Sequence, residues 1–534
     1  MNSAFLLLAL AKLAAPWADG GVRDGVLGET ADLRFSNGTI GTYQSPESVR
    51  AVAPGVTRLD FGRDAFGWLE VRGAGAGDVR LGEKLAADGR IDLKPGGTIR
   101  AAQVKDVAFG ATWARVPLAP DVRNTTGTNG RAIAVRLPAD VGVVLPFRYA
   151  EVPSGVEARR VAVAWPMRQK VKWSADGLGL PAETAARLER LFDFCAYSIR
   201  ATSFAGVYVD GDRERIPYEG DVYGNMLGQL YGVDGDPELA RRSIRHLLRY
   251  PTWPAEWQMH LVLCVWEDWH FTGETNFVAE VYGSLREKTL IGLVAPDDVL
   301  IRSAPGTIVD WPAGERDGYD MAAPYNAVVN AFHCRALREM GDLARALGKA
   351  DDATFYTARA EAVKAAFNER LFDAAKGLYR DGVGSSHFSL HANVAALDFG
   401  LVPEAHVAHV ADFIAGKGMA CSPYFAQYLL EALFKSGRRD AAIALLVSEG
   451  PRSWLGMLCQ GATMTMEAWS LDAKPNQDWN HAWGAAPANL LPRFLPLPVG
   501  TGPAPLWGQA PLAFLSEWGQ APFALTENDS FLAK

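Results

Sequence analysis

Hydrophobic and polar positions follow two different rhythms along this chain. Between about residues 31 and 175 the period is two. TRLDF, GWLEVRG, DVRLGEKL, GTIRAAQV and RAIAVRLP read as short strands separated by Gly, Asp, Asn and Pro turns. Strands at this spacing, with no helical text between them, predict a β-sandwich. The stretch VAVAWPMRQKVKW closes it and leads onward. From about 176 to 497 the period becomes helical. PAETAARLERLFDFCAYSIRATS, DPELARRSIRHLLRY, EWQMHLVLCVWEDWHF, NFVAEVYGSLREKTLIGLV, APYNAVVNAFHCRALREMGDLARALG and DDATFYTARAEAVKAAFNERLF are followed by SPYFAQYLLEALFKSG and HAWGAAPANLLPRF. With shorter candidates such as PEAHVAHVADFIAG and DAAIALLVS, about a dozen helices are expected, often opened by Pro, Asp or Ser. Twelve helices without intervening strands suit six αα-hairpins closed into an (α/α)6 toroid. An open helical solenoid would need a repeat of roughly 34 residues, and none is visible. The fold class expected is therefore a multidomain α and β protein, with an (α/α)6 toroid preceded by a β-sandwich.

The ends fall outside both patterns. Residues 1–30 open with an apolar run, Ala4 to Ala11, that reads either as an export signal lacking a basic start or as an N-terminal helix or strand. Residues 498–534 return to Pro/Gly-rich, strand-like text, expected to pack back as a short tail. A chain of 534 residues accommodates this many parts. No apolar run approaches the ~20 residues of a membrane span.

Charge narrows the partners. The 61 acidic and 53 basic side chains leave a net charge of -8, which argues against nucleic acid or an anionic membrane surface. Sixteen Trp are many for this length. Trp rings stack on the C–H faces of sugars, and they equally fill large cores. The five cysteines form no CxxC pair, so neither a zinc site nor a disulfide framework is implied. They assign no compartment, and exported and cytoplasmic locations stay equally open.

The most chemically loaded stretch is Val207 to Asp221, between two helices. It holds Asp210, Asp212, Glu214, Glu219 and Asp221 with Arg213 and Arg215. An arbitrary acidic loop of this kind is a solvated, ion-paired surface. Here Val207, Tyr208, Val209, Ile216, Pro217 and Tyr218 bracket the charges and point to partial burial, where charge is costly. Carboxylates so placed accept hydrogen bonds from sugar hydroxyls, and one can serve as proton donor. Farther on, Glu467 is the only charge in Gly456 to Trp469. An isolated acid in an apolar run is either a helix salt bridge or a group with a perturbed pKa. His481, in Asn480-His481-Ala-Trp483, reads as a hydrogen-bonded core histidine or as a site residue.

Asp210-Gly-Asp-Arg-Glu-Arg-Ile-Pro-Tyr-Glu-Gly-Asp221 resembles the acid-bearing motif of the bacterial α-L-rhamnosidases with a six-hairpin barrel, which are glycoside hydrolase family 78-like. Met466-Glu467-Ala468-Trp469 with Asn480-His481 is similar to that family's second signature. Gly377 to Gly382, Ser389 to Asn393, Gly400 to Pro403, Ser422 to Phe425, Asp60 to Gly67 and Arg90 to Ile99 carry further likeness. The resemblance implies an inverting hydrolase with Glu214 as general acid and Glu467 as general base. It places His481, Tyr218 and Trp311 against the sugar, and Asp210, Asp221, Arg213 and Arg215 around the acid. It implies a rhamnoside substrate, no cofactor and no metal. The chain departs in Tyr218, where the family usually has Trp, and in a shorter spacing from Asp210 to Glu214.

An arginine aimed at Glu214 would hold it ionised and unfit for acid duty. Arg213 and Arg215 are therefore expected on Asp210, Asp212 or Asp221, leaving Glu214 in a dry aromatic niche. Two other readings of the same scaffold stay open: another six-hairpin glycosidase or lyase, and a non-catalytic sugar-binding protein. A lyase acting on uronates would use a neutral Tyr or His base and a cationic clamp, which an acid-dominated site does not offer.

Overall fold

The computed structural model describes residues 27–129 and 131–496. The expected tail from 498 onward, and all but four residues of the expected N-terminal segment, lie outside that range. The chain has mixed helix and sheet content, sheet first and helices after.

Among the described residues the sheet half forms one curled antiparallel sheet of nine strands, with β1 (Leu33–Arg34), β2 (Ile40–Gln44), β5 (Gly75–Gly82) and β6 (Ala101–Phe109) among them, and a separate two-stranded ribbon. The sheet's long member, β4 (Val56–Arg72), pairs with β10 (Leu145–Pro153), β11 (Glu157–Ala164), β3 (Ser48–Ala53) and β7 (Ala114–Arg115). The predicted strands TRLDF and GWLEVRG are both parts of β4. A period-two pattern marks which residues face inward, but not which backbone edges join, so one curled sheet and two stacked ones look alike in sequence.

β4 breaks register opposite β10 between the Tyr149↔Asp60 and Phe147↔Ala65 pairs. This bulge holds Phe61–Asp64, in the middle of the Asp60–Gly67 motif. Gly62 has φ +77, a left-handed backbone that favours glycine, and its missing side chain leaves room for the Glu47 carboxylate. The bulge turns Asp64 toward the helical half, where its backbone N–H donates to Thr463 Oγ1 at 2.8 Å. Phe66 beside it stacks on Phe204 at 3.7 Å, and the two halves share a hydrophobic core.

Burial pushes the Asp64 carboxyl up to about 7, with Arg148 and Arg160 opposing the rise. A native carboxyl that keeps its proton above the unfolded value of about 4 makes stability fall as pH rises from about 4 to 7. Asp64→Asn should remove that fall. Relative to the parent it should gain about 1–3 kcal/mol at pH 8 and nothing at pH 4, read from urea melts at both pH values. A gap that does not change with pH would contradict this.

Thirteen helices are described in the second half. They are α1 (Ala182–Thr202), α2 (Glu219–Gly232), α3 (Glu238–Arg249), α4 (His260–Thr272), α5 (Asn276–Lys288), α6 (Ala327–Ala346) and α7 (Ala350–Leu371). They continue with α8 (Leu390–Asp398), α9 (Glu404–Lys417), α10 (Ala426–Lys435), α11 (Arg439–Leu446), the short α12 (Trp454–Cys459) and α13 (Pro487–Phe494). Polar caps start several: Asn326, Ser389 and Ser453 each accept a first-turn N–H through the side chain. Helix α2 packs on α4, α4 on α6, α6 on α8, α8 on α10 and α10 on α13, and α13 returns to α2. The remaining long helices lie against these.

Helix α2 is not visible in the sequence pattern. Gly220, Gly224, Gly228 and Gly232 interrupt it, each costing roughly 1 kcal/mol of helix propensity. Tertiary packing supplies the reason for them. A Cβ at Gly228 would meet Ile199 at 2.7 Å, and one at Gly232 the Ala488 carbonyl at 2.3 Å. The glycine stripe lets α1 and α13 approach this helix closely. No helix among the described residues is long and apolar enough to cross a membrane.

Candidate active site

The site forms where the loop after α1 meets the segment between α12 and α13. In the first, the Asp210 N–H donates to the Ile216 carbonyl, and the Ile216 N–H returns to Asp210 Oδ1 at 2.9 Å, with Arg215 at φ +54 in the turn. In the second, non-helical backbone doubles back: the His481 N–H donates to Thr465 O, and that of Glu467 to Asp478 O. The Asp212 N–H donates to Asn480 Oδ1 at 2.7 Å and joins the two.

Arg213 stands between the two glutamates. Its Nη1 donates to Glu214 Oε1 at 2.8 Å and its Nη2 to Glu467 Oε1 at 2.7 Å. The expectation that Arg213 would avoid Glu214 is corrected here. Of its three anticipated partners, Asp212 is buried and already taken by Arg215, by Arg100 from the sheet half and by Asn124, Asp210 accepts from the Ile216 N–H, and Asp221 pairs with His481. Arg213 therefore turns forward. Arg215 does pair with Asp212 as expected, and it also donates to the Val144 carbonyl. That commits it behind the loop. Glu214 is not in a dry niche either: its side chain is 30% exposed, and its second oxygen accepts from the Tyr218 hydroxyl at 2.8 Å.

Glu467 is only 2% exposed. Its Oε1 also meets Lys474 Nζ at 3.0 Å, while Oε2 has no hydrogen-bond partner among the described residues. Burial raises its pKa and the Asp478 charge adds to that, against His481, Arg213 and Lys474. His481 is held at both nitrogens, Nε2 on Asp221 Oδ1 at 2.9 Å and Nδ1 on Asp478 Oδ1 at 3.2 Å. Burial disfavours its cation, but the two carboxylates override this and lift its pKa well above the ordinary value. Burial likewise lifts Asp210 far above the carboxylate range, with Glu214 adding to it.

Glu467, Asp478 and His481 converge closely enough to suggest a metal cluster. Their chemistry fits an ion-pair network better. Both histidine nitrogens are engaged, and Arg213 and Lys474 already supply positive charge to Glu467.

A band of rings backs the carboxylates. Tyr218 meets Trp257, Trp257 meets Tyr424, Tyr424 stacks on Trp483 at 5.6 Å, and His481 lies beside Trp483. Trp311 is not tied to this group by any hydrogen bond or ring contact among the described residues. It is 37% exposed, on the loop whose Ile308 and Val309 N–H groups Glu256 accepts.

Sequence reasoning did not single out Asp478, Lys474, Asn129, Trp257 or Tyr424. Asp478 carried a signal, as an acid between Gln477 and Trp479 just before Asn480-His481. Tyr424 carried one too, inside the family-like stretch Ser422 to Phe425, and Asn129 carried none.

The same architecture occurs in solved rhamnosidases. The GH78 family rhamnosidase of Bacillus sp. GL1 superposes with a TM-score of 0.64 at 20% identity, over 83% of this chain and 47% of that one. The rhamnosidase of Klebsiella oxytoca, solved with rhamnose bound, gives 0.63 at 15% identity, over 86% of this chain and 96% of that one. Residues 183–495 match the model of the bacterial alpha-L-rhamnosidase 6 hairpin glycosidase domain, and the chain belongs to that family. The alpha-L-rhamnosidase of Alteromonas sp. (strain LOR) is 22% identical over 357 residues, which span 61% of this chain but only 38% of that protein.

Proposed function

We propose that this chain is a glycoside hydrolase that releases terminal α-L-rhamnose from glycosides or polysaccharide fragments with inversion, using Glu214 as general acid and Glu467 as general base. The observation that carries the reading is the pair of carboxylates on one Arg213 guanidinium, before a wall of aromatic rings, in a member of this family. Its relatives named as rhamnosidases support rhamnose as the sugar.

In this mechanism the attacking water, entering with the substrate, is held by the Glu467 carboxylate, whose buried Oε2 has no hydrogen-bond partner among the described residues. Glu467 takes the water's proton as the oxygen attacks the anomeric carbon from one face. Glu214 gives its proton to the departing glycosidic oxygen on the other. Arg213 and Lys474 oppose the rise that burial imposes on Glu467 and favour the ionised form a base needs. His481, Asp221, Asp210 and the rings from Tyr218 to Trp483 are read as lining the sugar, with Trp311 at the rim. Inversion calls for carboxyl groups roughly 6.5–9.5 Å apart, against about 5–5.5 Å for retention.

We read α2, α4, α6, α8, α10 and α13 as the inner ring of an (α/α)6 toroid, with the return of α13 to α2 as support. In this reading residues 31–175 form the sheet domain and 176–497 the catalytic domain.

Purified protein should release L-rhamnose from p-nitrophenyl α-L-rhamnoside, at a rate that a chelator leaves unchanged. Activity confined to D-sugar glycosides, or lost with chelator, would overturn the reading.

A further inference from the structure

The acid loop is strapped from outside by the sheet half. Residues 121–136 run along it: Asp121 and Asp212 share Arg100, Asn124 Nδ2 donates to the Asp212 carbonyl at 2.8 Å, and the Val135 N–H donates to Arg215 O at 2.8 Å. Within this strap β8 (Thr128–Asn129) pairs with β9 (Ala132–Ile133), and Ala132 and Ala134 are buried in the helical half's core. The hairpin is docked, and it presents one polar side chain to the site. Asn129 Nδ2 donates to the Tyr218 hydroxyl at 2.7 Å, and that hydroxyl donates to Glu214 Oε2 at 2.8 Å.

We propose that the β8–β9 hairpin is part of the active site and that Asn129, acting through the Tyr218 hydroxyl, is a positioning residue for Glu214. The inference rests on the reading of Glu214 as the acid. A phenol has one O–H to give. With its oxygen accepting from Asn129, that hydrogen is directed to Glu214, fixing the carboxyl's rotamer and favouring its ionised form. Burial, with the charges of Asp210 and Glu214, holds the Tyr218 phenol protonated and available as a donor.

Other charges also face this acid. Arg213 and Asp210 come from its own loop, Glu467, Lys474, Asp478 and His481 from the facing segment, and Asp221 from α2. The substitutions below leave all of these in place.

The test is the pH profile of kcat/KM on a substrate with a poor leaving group, where the alkaline limb marks loss of the acid's proton. Tyr218→Phe removes a donor to the carboxylate and should move that limb up by about half a pH unit or more. Asn129→Ala should move it the same way by less. Asn129→Asp should move it most, because the new carboxylate competes for the phenol hydrogen and adds negative charge. Both Asn129 variants change one half-buried hairpin side chain, so they carry the test if Tyr218→Phe does not fold. A limb that stays put in all three, or moves down, overturns the proposal; a purely structural role would lower the melting temperature or raise KM and leave the limb where it was. Glu214→Gln separates the two readings. If it keeps full activity, the acid assignment itself fails; if it loses activity while the Asn129 and Tyr218 variants keep the parent limb, only the hairpin's role fails.

Discussion

Glu467→Gln should lower kcat about 10²–10⁴-fold on good and poor leaving groups alike, because the amide cannot take the proton of the attacking water. The substitution preserves shape, and the two cations it strands keep other partners: Arg213 still has Glu214, and Lys474 still has Asn476 Oδ1 at 2.8 Å. A thermal melt close to the parent's should accompany the loss. In Glu467→Ala, azide or formate should restore part of the rate, since a small anion can occupy the vacated space and attack directly. The glycosyl azide formed would carry the anomeric configuration opposite to the substrate's. NMR during the first turnovers of the parent enzyme should likewise show rhamnose released with inverted configuration. Sugar released first with the substrate's own configuration would remove Glu467 from the role of a base acting through water.

Glu214→Gln should divide substrates by leaving group. Those with poor leaving groups, which cannot depart without a proton, should lose about 10²–10⁴-fold in kcat/KM. An activated aryl rhamnoside, whose phenolate departs unaided, should lose far less. The alkaline limb of the parent profile should vanish with the variant, since no protonated acid remains to be titrated. Equal losses on both substrate types would mean that Glu214 holds the site together rather than donating the proton. Arg213 sharpens this comparison: with its Glu214 bond gone it still pairs with Glu467 and still opposes the rise in that group's pKa.

Glu214 came from the motif resemblance alone; the sequence by itself determined the order of sheet and helices, most helix positions and the isolation of Glu467. These are local or periodic properties. A strand or helix declares which face it buries through spacing of two or 3.6 residues, and an isolated Glu467 in an apolar run declares its cost. Helix α2 escaped because its four glycines suit neighbours, Ile199 and Ala488, that lie far away in the chain. The single curled sheet escaped because hydrogen-bonded edges leave no trace in the alternation of side chains. Only the tertiary structure decided where Arg213 points. Arg100, from the sheet half, fills Asp212 from behind, and Arg213 is left to face Glu214 and Glu467. Asn129 reached the site by the same route, through long-range packing, its amide meeting Tyr218 from 89 residues away. A charged side chain chooses among partners by who is already satisfied in three dimensions, and that is a property of the folded whole rather than of any segment.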